Sequence, residues 1–152
     1  MLLARPLSED EVSTVRAWVG SDRLLELFMA QQVADQRHGY ETGKAVAAAG
    51  HRLELVAAAA LHDVGKIHSR FGPVRRSIAT VLMGLKLPLG GRWAAYRDHG
   101  ELGAIDLERA GASDLIVSFA RHHQHRRPPE MAPEDWSVLN RADLGTLTGT
   151  SG

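Results

Sequence analysis

A chain of 152 residues is long enough for one domain with a substantial core and short for two. Hydrophobic residues make up 44% and charged residues 24%, a globular balance that argues against disorder. Lysine plus arginine equal aspartate plus glutamate at 18 each, which disfavours an extended nucleic-acid surface or an anionic membrane and leaves room for a small phosphorylated substrate held locally.

Ser8-Glu9-Asp10-Glu11 reads as a capping box opening a helix to about Val19, where Gly20 stops it. Ser21-Asp22 caps a second helix with Leu24, Leu27 and Phe28 on one face. A third runs from about Asp35 to Ala49 and ends at Gly50. The fourth, from about Arg52, carries Leu53, Val56, Ala57, Ala60 and Leu61 at helical spacing. A loop is expected around Gly65 to Gly72, then Pro73 at the first position of a helix ending near Leu85, then a second loop at Pro88, Gly90 and Gly91. Three more helices are expected over about 99–110, 113–123 and 133–144, separated by Gly111 and by the Arg126-Arg127-Pro128-Pro129 turn. The small, polar Thr146–Gly152 tail is expected to fray. No stretch alternates long enough to make a strand, and no repeat or linker interrupts the chain. The expectation is an all-α single domain.

No apolar run approaches the roughly 18 residues needed to span a bilayer. Met1-Leu2-Leu3-Ala4-Arg5-Pro6 lacks a signal-peptide pattern. Cysteine is absent, which excludes disulfides and thiolate metal sites and fits a reducing cytosol, so a cytoplasmic location is expected.

Eight histidines are the unusual feature. Imidazole and carboxylate together suit transition metals, and the candidates are His38, His62-Asp63, His99, His122-His123 and Asp143. His38 opens the face continued by Thr42, Ala45, Val46 and Ala49. His122 shares a stripe with Leu115 and Phe119, and Asp143 shares one with Trp136, Leu139 and Asn140. His62-Asp63 directly follows the buried-looking run Ala57–Leu61. A lone histidine on an apolar face is more often a packed core residue than a ligand. Several ionisable groups at the ends of core-facing stripes are harder to explain that way, because unpaired buried charge is costly. In an adjacent His-Asp pair, the imidazole can hold one metal while the carboxylate bridges to a second. His51, His68 and His125 read as solvated.

Ala59-Ala60-Leu61-His62-Asp63-Val64-Gly65-Lys66 resembles the defining motif of the HD superfamily of metal-dependent phosphohydrolases in its His-Asp-x-Gly-Lys form. The family order of an upstream His, the His-Asp pair and a distant Asp is matched by His38, His62-Asp63 and Asp143. His99-Gly100-Glu101-Leu102-Gly103-Ala104 and His122-His123 resemble the additional histidines of the two-metal branch. The resemblance spans about Gln32 to Asp143. It implies an HD-type helical bundle over 31–145, with N-terminal helices over 1–30 packed on its core and the frayed tail over 146–152.

Two divalent transition-metal ions (iron, manganese, cobalt, nickel or zinc) are implied. The first would be held by His38, His62, Asp63 and Asp143, and the second by His99 and His122, with His123 as a further candidate ligand and Asp63 bridging. Lys66 is implied as a contact to phosphate or to the bridging water. The chain departs from the HD-GYP branch, reading Gln124-His125-Arg126-Arg127-Pro128-Pro129 after its paired histidines, and Ala34 stands where some members place a metal-binding Glu. Both differences speak against cyclic di-GMP cleavage and a third metal.

The expected reaction is hydrolysis of a phosphomonoester or phosphodiester of a small molecule, a nucleotide foremost, by a metal-activated water with Asp63 and Lys66 as catalytic residues. Arg70, Arg75 and Arg76 around Gly72-Pro73, and Arg126 and Arg127 beside the histidines, are candidate phosphate contacts whose bland alternative is a solvated face. Tyr40 and Tyr96 are candidates for lining the site or for simple packing. Two other readings use the same ligands: a mixed-valent diiron oxygenase, resembling myo-inositol oxygenase and the phosphonate-cleaving oxygenases, and a non-catalytic regulatory domain. A single-metal triphosphohydrolase would leave His99 and His122 unused.

Overall fold

The computed structural model describes residues 4–68 and 99–147. The expected helix over Pro73–Leu85 and the loops on either side of it, with Arg70, Arg75, Arg76 and Tyr96, lie outside the described residues. Among those described there are seven α-helices and one 3₁₀ turn, and no strand. They are α1 (Glu9–Val19), α2 (Asp22–Met29), α3 (Val33–Ala48), α4 (Leu53–Leu61), the 3₁₀ turn (Val64–His68), α5 (His99–Ala110), α6 (Asp114–His122) and α7 (Pro133–Asp143). The all-α expectation holds. No helix among the described residues is long and apolar enough to cross a membrane.

Local chemistry accounts for most boundaries. Ser8 closes the capping box with Glu11, and Gly20 ends α1 in the left-handed region at φ 64°. Ser21 begins α2 without a side-chain cap, so the expected capping bond is not made there. Pro133 occupies the first turn of α7. Where a loop was expected after Asp63, the chain instead winds into the 3₁₀ turn. At the other end, Thr146 and Leu147 donate backbone N–H groups to the Arg141 carbonyl at 2.7 and 3.0 Å.

The core is organised around α4. Leu55 through Leu61 are all buried, so this helix is apolar on every side and has to be surrounded. α1, α3, α6 and α7 surround it, and α5 packs on α6, α2 and the 3₁₀ turn. Two backbone approaches set the site. A Cβ on Gly39 would sit 2.5 Å from the Ala60 carbonyl oxygen, so α3 lies directly on α4. A Cβ on Gly65 would sit 1.8 Å from the His99 carbonyl oxygen and 2.6 Å from the Gly103 nitrogen, so the turn after Asp63 is pressed against α5.

The N-terminal segment is fastened to α3 by Arg37. Its guanidinium donates to both Glu11 carboxylate oxygens at 2.7 and 2.9 Å and to the Arg5 and Pro6 carbonyls at 3.1 and 2.9 Å. The Arg37 hydrogen bonds, and then the Ser8 N–H, hold the Glu11 carboxyl down from its ordinary 4.5 to about 2. A depressed folded-state pKa means the contribution is fully present above 4.5 and is lost as pH falls towards 2. Denaturant unfolding of wild type and Glu11→Gln should therefore show a wild-type advantage at pH 6 that disappears by about pH 2. A difference that is constant across that window would refute the pairing.

Candidate metal centre

The helix ends deliver the cluster. His62 is the C-cap of α4, His123 is the C-cap of α6, and Asp143 is the last residue of α7. Three helix C-termini, each carrying about half a negative charge, thus converge on one point. His38 reaches in from α3 and His99 from the first turn of α5. His62, Asp63, His99 and His123 are buried, while His38 and Asp143 are partly accessible.

Distances separate the cluster into two sides of one carboxylate. Asp143 Oδ1 lies 3.0 Å from His38 Nε2 and 3.1 Å from His62 Nε2. Asp63 Oδ2 lies 3.5 Å from His62 Nε2 and 3.9 Å from His38 Nε2, and it accepts a hydrogen bond from Lys66 Nζ. Asp63 Oδ1 faces the other way, 3.3 Å from His99 Nε2 and 3.5 Å from His123 Nε2. Ligand atoms about 2.1 Å from a shared ion are spaced about 3.0–3.4 Å at right or tetrahedral angles; the Asp143 contacts to His38 and His62 and the Asp63 contact to His99 fall in that range, and the other three are longer. Two groupings have all their ligand atoms within 4.8 Å of one another: His38, His62 and Asp143, and His62, Asp63 and His123. His99 joins through Asp63 and stands outside both.

The donor set fits a divalent transition metal. His62 Nδ1 lies 2.8 Å from the Ala59 carbonyl and His123 Nδ1 lies 2.9 Å from the Ala120 carbonyl. A carbonyl only accepts, so both Nδ1 atoms carry the proton and both Nε2 atoms face the carboxylates. The same device occurs twice: a histidine at a helix C-cap bonded to an alanine carbonyl three residues back. Burial raises the Asp63 carboxyl, but His62, the His123 and His99 contacts and Lys66 outweigh it and hold it well below the usual range. Burial is likewise outweighed at Asp143 by His38 and His62, which hold it far down. His62 is pushed up because Asp63 and Asp143 outweigh its burial, whereas burial wins at His123 and pushes it down.

Of the expected metal residues, His38, His62, Asp63, His99, His123 and Asp143 come together, and His122 stands outside the cluster. His122 lies near enough to Glu130 to help lower that carboxyl. One residue turns a helix position by about 100°, and the buried stripe of α6 runs through Ile116, Phe119, Ala120 and His123 rather than through Leu115. A stripe counted from Ile116 ends on His123. Lys66 lies on Asp63, inside the cluster. Arg126 is exposed, and Arg127 donates to the Pro128 and Met131 carbonyls. Tyr40 stacks on Trp18 at 5.5 Å, so it is a packing residue. His68, read as solvated, lies 2.6 Å from Asp106, a pairing across 38 positions that no local pattern signals.

The family model for the HD domain matches residues 36–144. No curated protein and no solved structure matches the chain.

His123→Ala is expected to weaken manganese or cobalt binding by at least about tenfold, and His122→Ala to leave it within about twofold. Calorimetric titration of both variants checks this. A greater loss in His122→Ala would reverse the assignment.

Proposed function

The chain belongs to the HD domain family, and from that premise we propose that it is a metal-dependent phosphohydrolase. It cleaves a phosphomonoester or phosphodiester of a small molecule, foremost a nucleotide, with a metal-activated water at a dinuclear site. The observation that carries this reading is the division of the Asp63 carboxylate, Oδ2 towards His62 and His38 and Oδ1 towards His99 and His123. His38, His62, Asp63 and Asp143 would hold one divalent transition-metal ion, and Asp63, His99 and His123 the other. Such a pair lowers the pKa of a water and offsets charge on the phosphoryl group.

The chain's own residues orient and neutralise. The Ala59 and Ala120 carbonyls fix the rings of His62 and His123. Lys66 places a compact positive charge on Asp63, and an ammonium has three donors, so holding Asp63 does not stop it from also donating to a phosphoryl oxygen. Arg126, exposed on the turn after α6, is a candidate for the outer part of a phosphate.

The test is metal analysis of protein purified without chelator, followed by a phosphatase and phosphodiesterase panel without oxygen. About two ions per chain and turnover supported by manganese, cobalt or nickel are expected, with Asp63→Ala losing both ions. One ion per chain would overturn the dinuclear site, and turnover only of a phosphonate or polyol in oxygen would overturn the hydrolase.

A further inference from the structure

A cavity of about 530 Å³ lies between the α2–α3 connection and the 3₁₀ turn, lined by Ala30, Gln32, Ile67 and His68. That volume falls within the ~300–1,000 Å³ usual for small-molecule pockets. One wall is the turn that begins directly after Asp63. At about 2 Å per residue, the five steps from Asp63 put His68 roughly 10 Å from the metal-binding carboxylate. A nucleoside attached to a phosphoryl at the cluster is long enough to span that distance.

Both walls are held in place. Gln36 donates to the Met29 and Gln31 carbonyls, each at 2.9 Å, which fixes the α2–α3 connection. Asp106 Oδ2, on α5, lies 2.6 Å from His68 Nε2, which fixes the ring against rotation. An accepting carboxylate gives Nε2 the proton, so Nδ1 is left as the outward hydrogen-bonding atom, and among the described residues it has no partner. An ion pair at a surface would have no need of a cavity beside it and contributes little to stability. Among the described residues the lining has no lysine or arginine. The described lining offers small apolar groups, one amide and one imidazole.

We propose, on the strength of the hydrolase reading above, that this cavity receives the leaving group of the substrate and that His68, held by Asp106, hydrogen-bonds that group through Nδ1. His68 is then a substrate-binding residue and Asp106 a positioning residue.

The test compares nucleoside 5′-monophosphates with methyl phosphate on the metal-loaded full chain, and measures nucleoside binding by calorimetry. His68→Ala should raise the nucleotide KM about 5- to 10-fold, the effect of one lost hydrogen bond, and leave kcat and the methyl phosphate kcat/KM within about twofold. Asp106→Ala should reproduce that loss, while Asp106→Asn, which keeps an acceptor for Nε2–H, should largely restore the KM. Equal effects on both substrates, or none on either, overturn the assignment. If the wild type hydrolyses neither, calorimetry decides. Nucleoside binding weakened by His68→Ala keeps the cavity and removes the hydrolase, whereas binding that is absent or indifferent to His68 removes the cavity.

Discussion

A carboxylate is buried at the end of the most apolar of the described helices, and the rest of the site is arranged around that burial. α4 is enclosed on all sides, so the two residues after Leu61, His62 and Asp63, are delivered into the interior. A buried anion without partners is costly, and here the local field makes it worse. The C-termini of α4, α6 and α7 all end at this point, and Asp143 adds a second carboxylate. Against that negative field stand the Lys66 ammonium and the His123 imidazole, which burial discourages from charging. A site so negative and so rich in nitrogen donors suits cations.

Close packing gives the site its dimensions. Imidazole nitrogens from α3, α4, α5 and α6 lie within 3.9 Å of a single carboxylate only because the backbones beneath them nearly touch. Gly39 lets α3 lie on the Ala60 carbonyl, and Gly65 lets the 3₁₀ turn lie on α5. A methyl group at Gly65 would meet main-chain atoms, which cannot swing aside as a side chain can. The necessary displacement is larger than the ~0.2 Å tolerance of metal–ligand distances. The glycine of His-Asp-x-Gly-Lys thus sets how near His99 comes to Asp63.

Much of this was legible in the chain alone. The capping box at Ser8, the stop at Gly20, the apolar run before His62 and the span from His99 to Ala110 are each written in local chemistry, and the structure agrees with them. What the sequence could not supply were rotations and long-range pairs. His122 and His123 differ by one step of about 100°, and two overlapping apolar stripes on α6 point to one or the other. Burial decides between them, and burial is a property of what packs against α6. Gly65 reads as a breaker and predicts a loop, whereas packing against α5 winds the chain into a 3₁₀ turn. Arg37 with Glu11 and His68 with Asp106 join residues 26 and 38 positions apart, and no periodicity connects them.

The two sides of Asp63 are also unequal, and that inequality orders the chemistry. On the dinuclear reading, the Oδ2 side has a second carboxylate in Asp143 and two imidazoles, while the Oδ1 side has imidazoles alone beyond Asp63 itself. A divalent cation is held more strongly where two anionic oxygens face it than where one does. On that reading the Asp143 side would hold its ion more strongly, with the buried His62 ring among its ligands, and the His99 side less strongly. The cavity wall carrying His68 grows from the same turn as Lys66 and is tied to α5, the helix that supplies His99. His99, Lys66 and His68 are therefore joined through α5 and the turn packed on it, and His62 and Asp143 through α4 and α7.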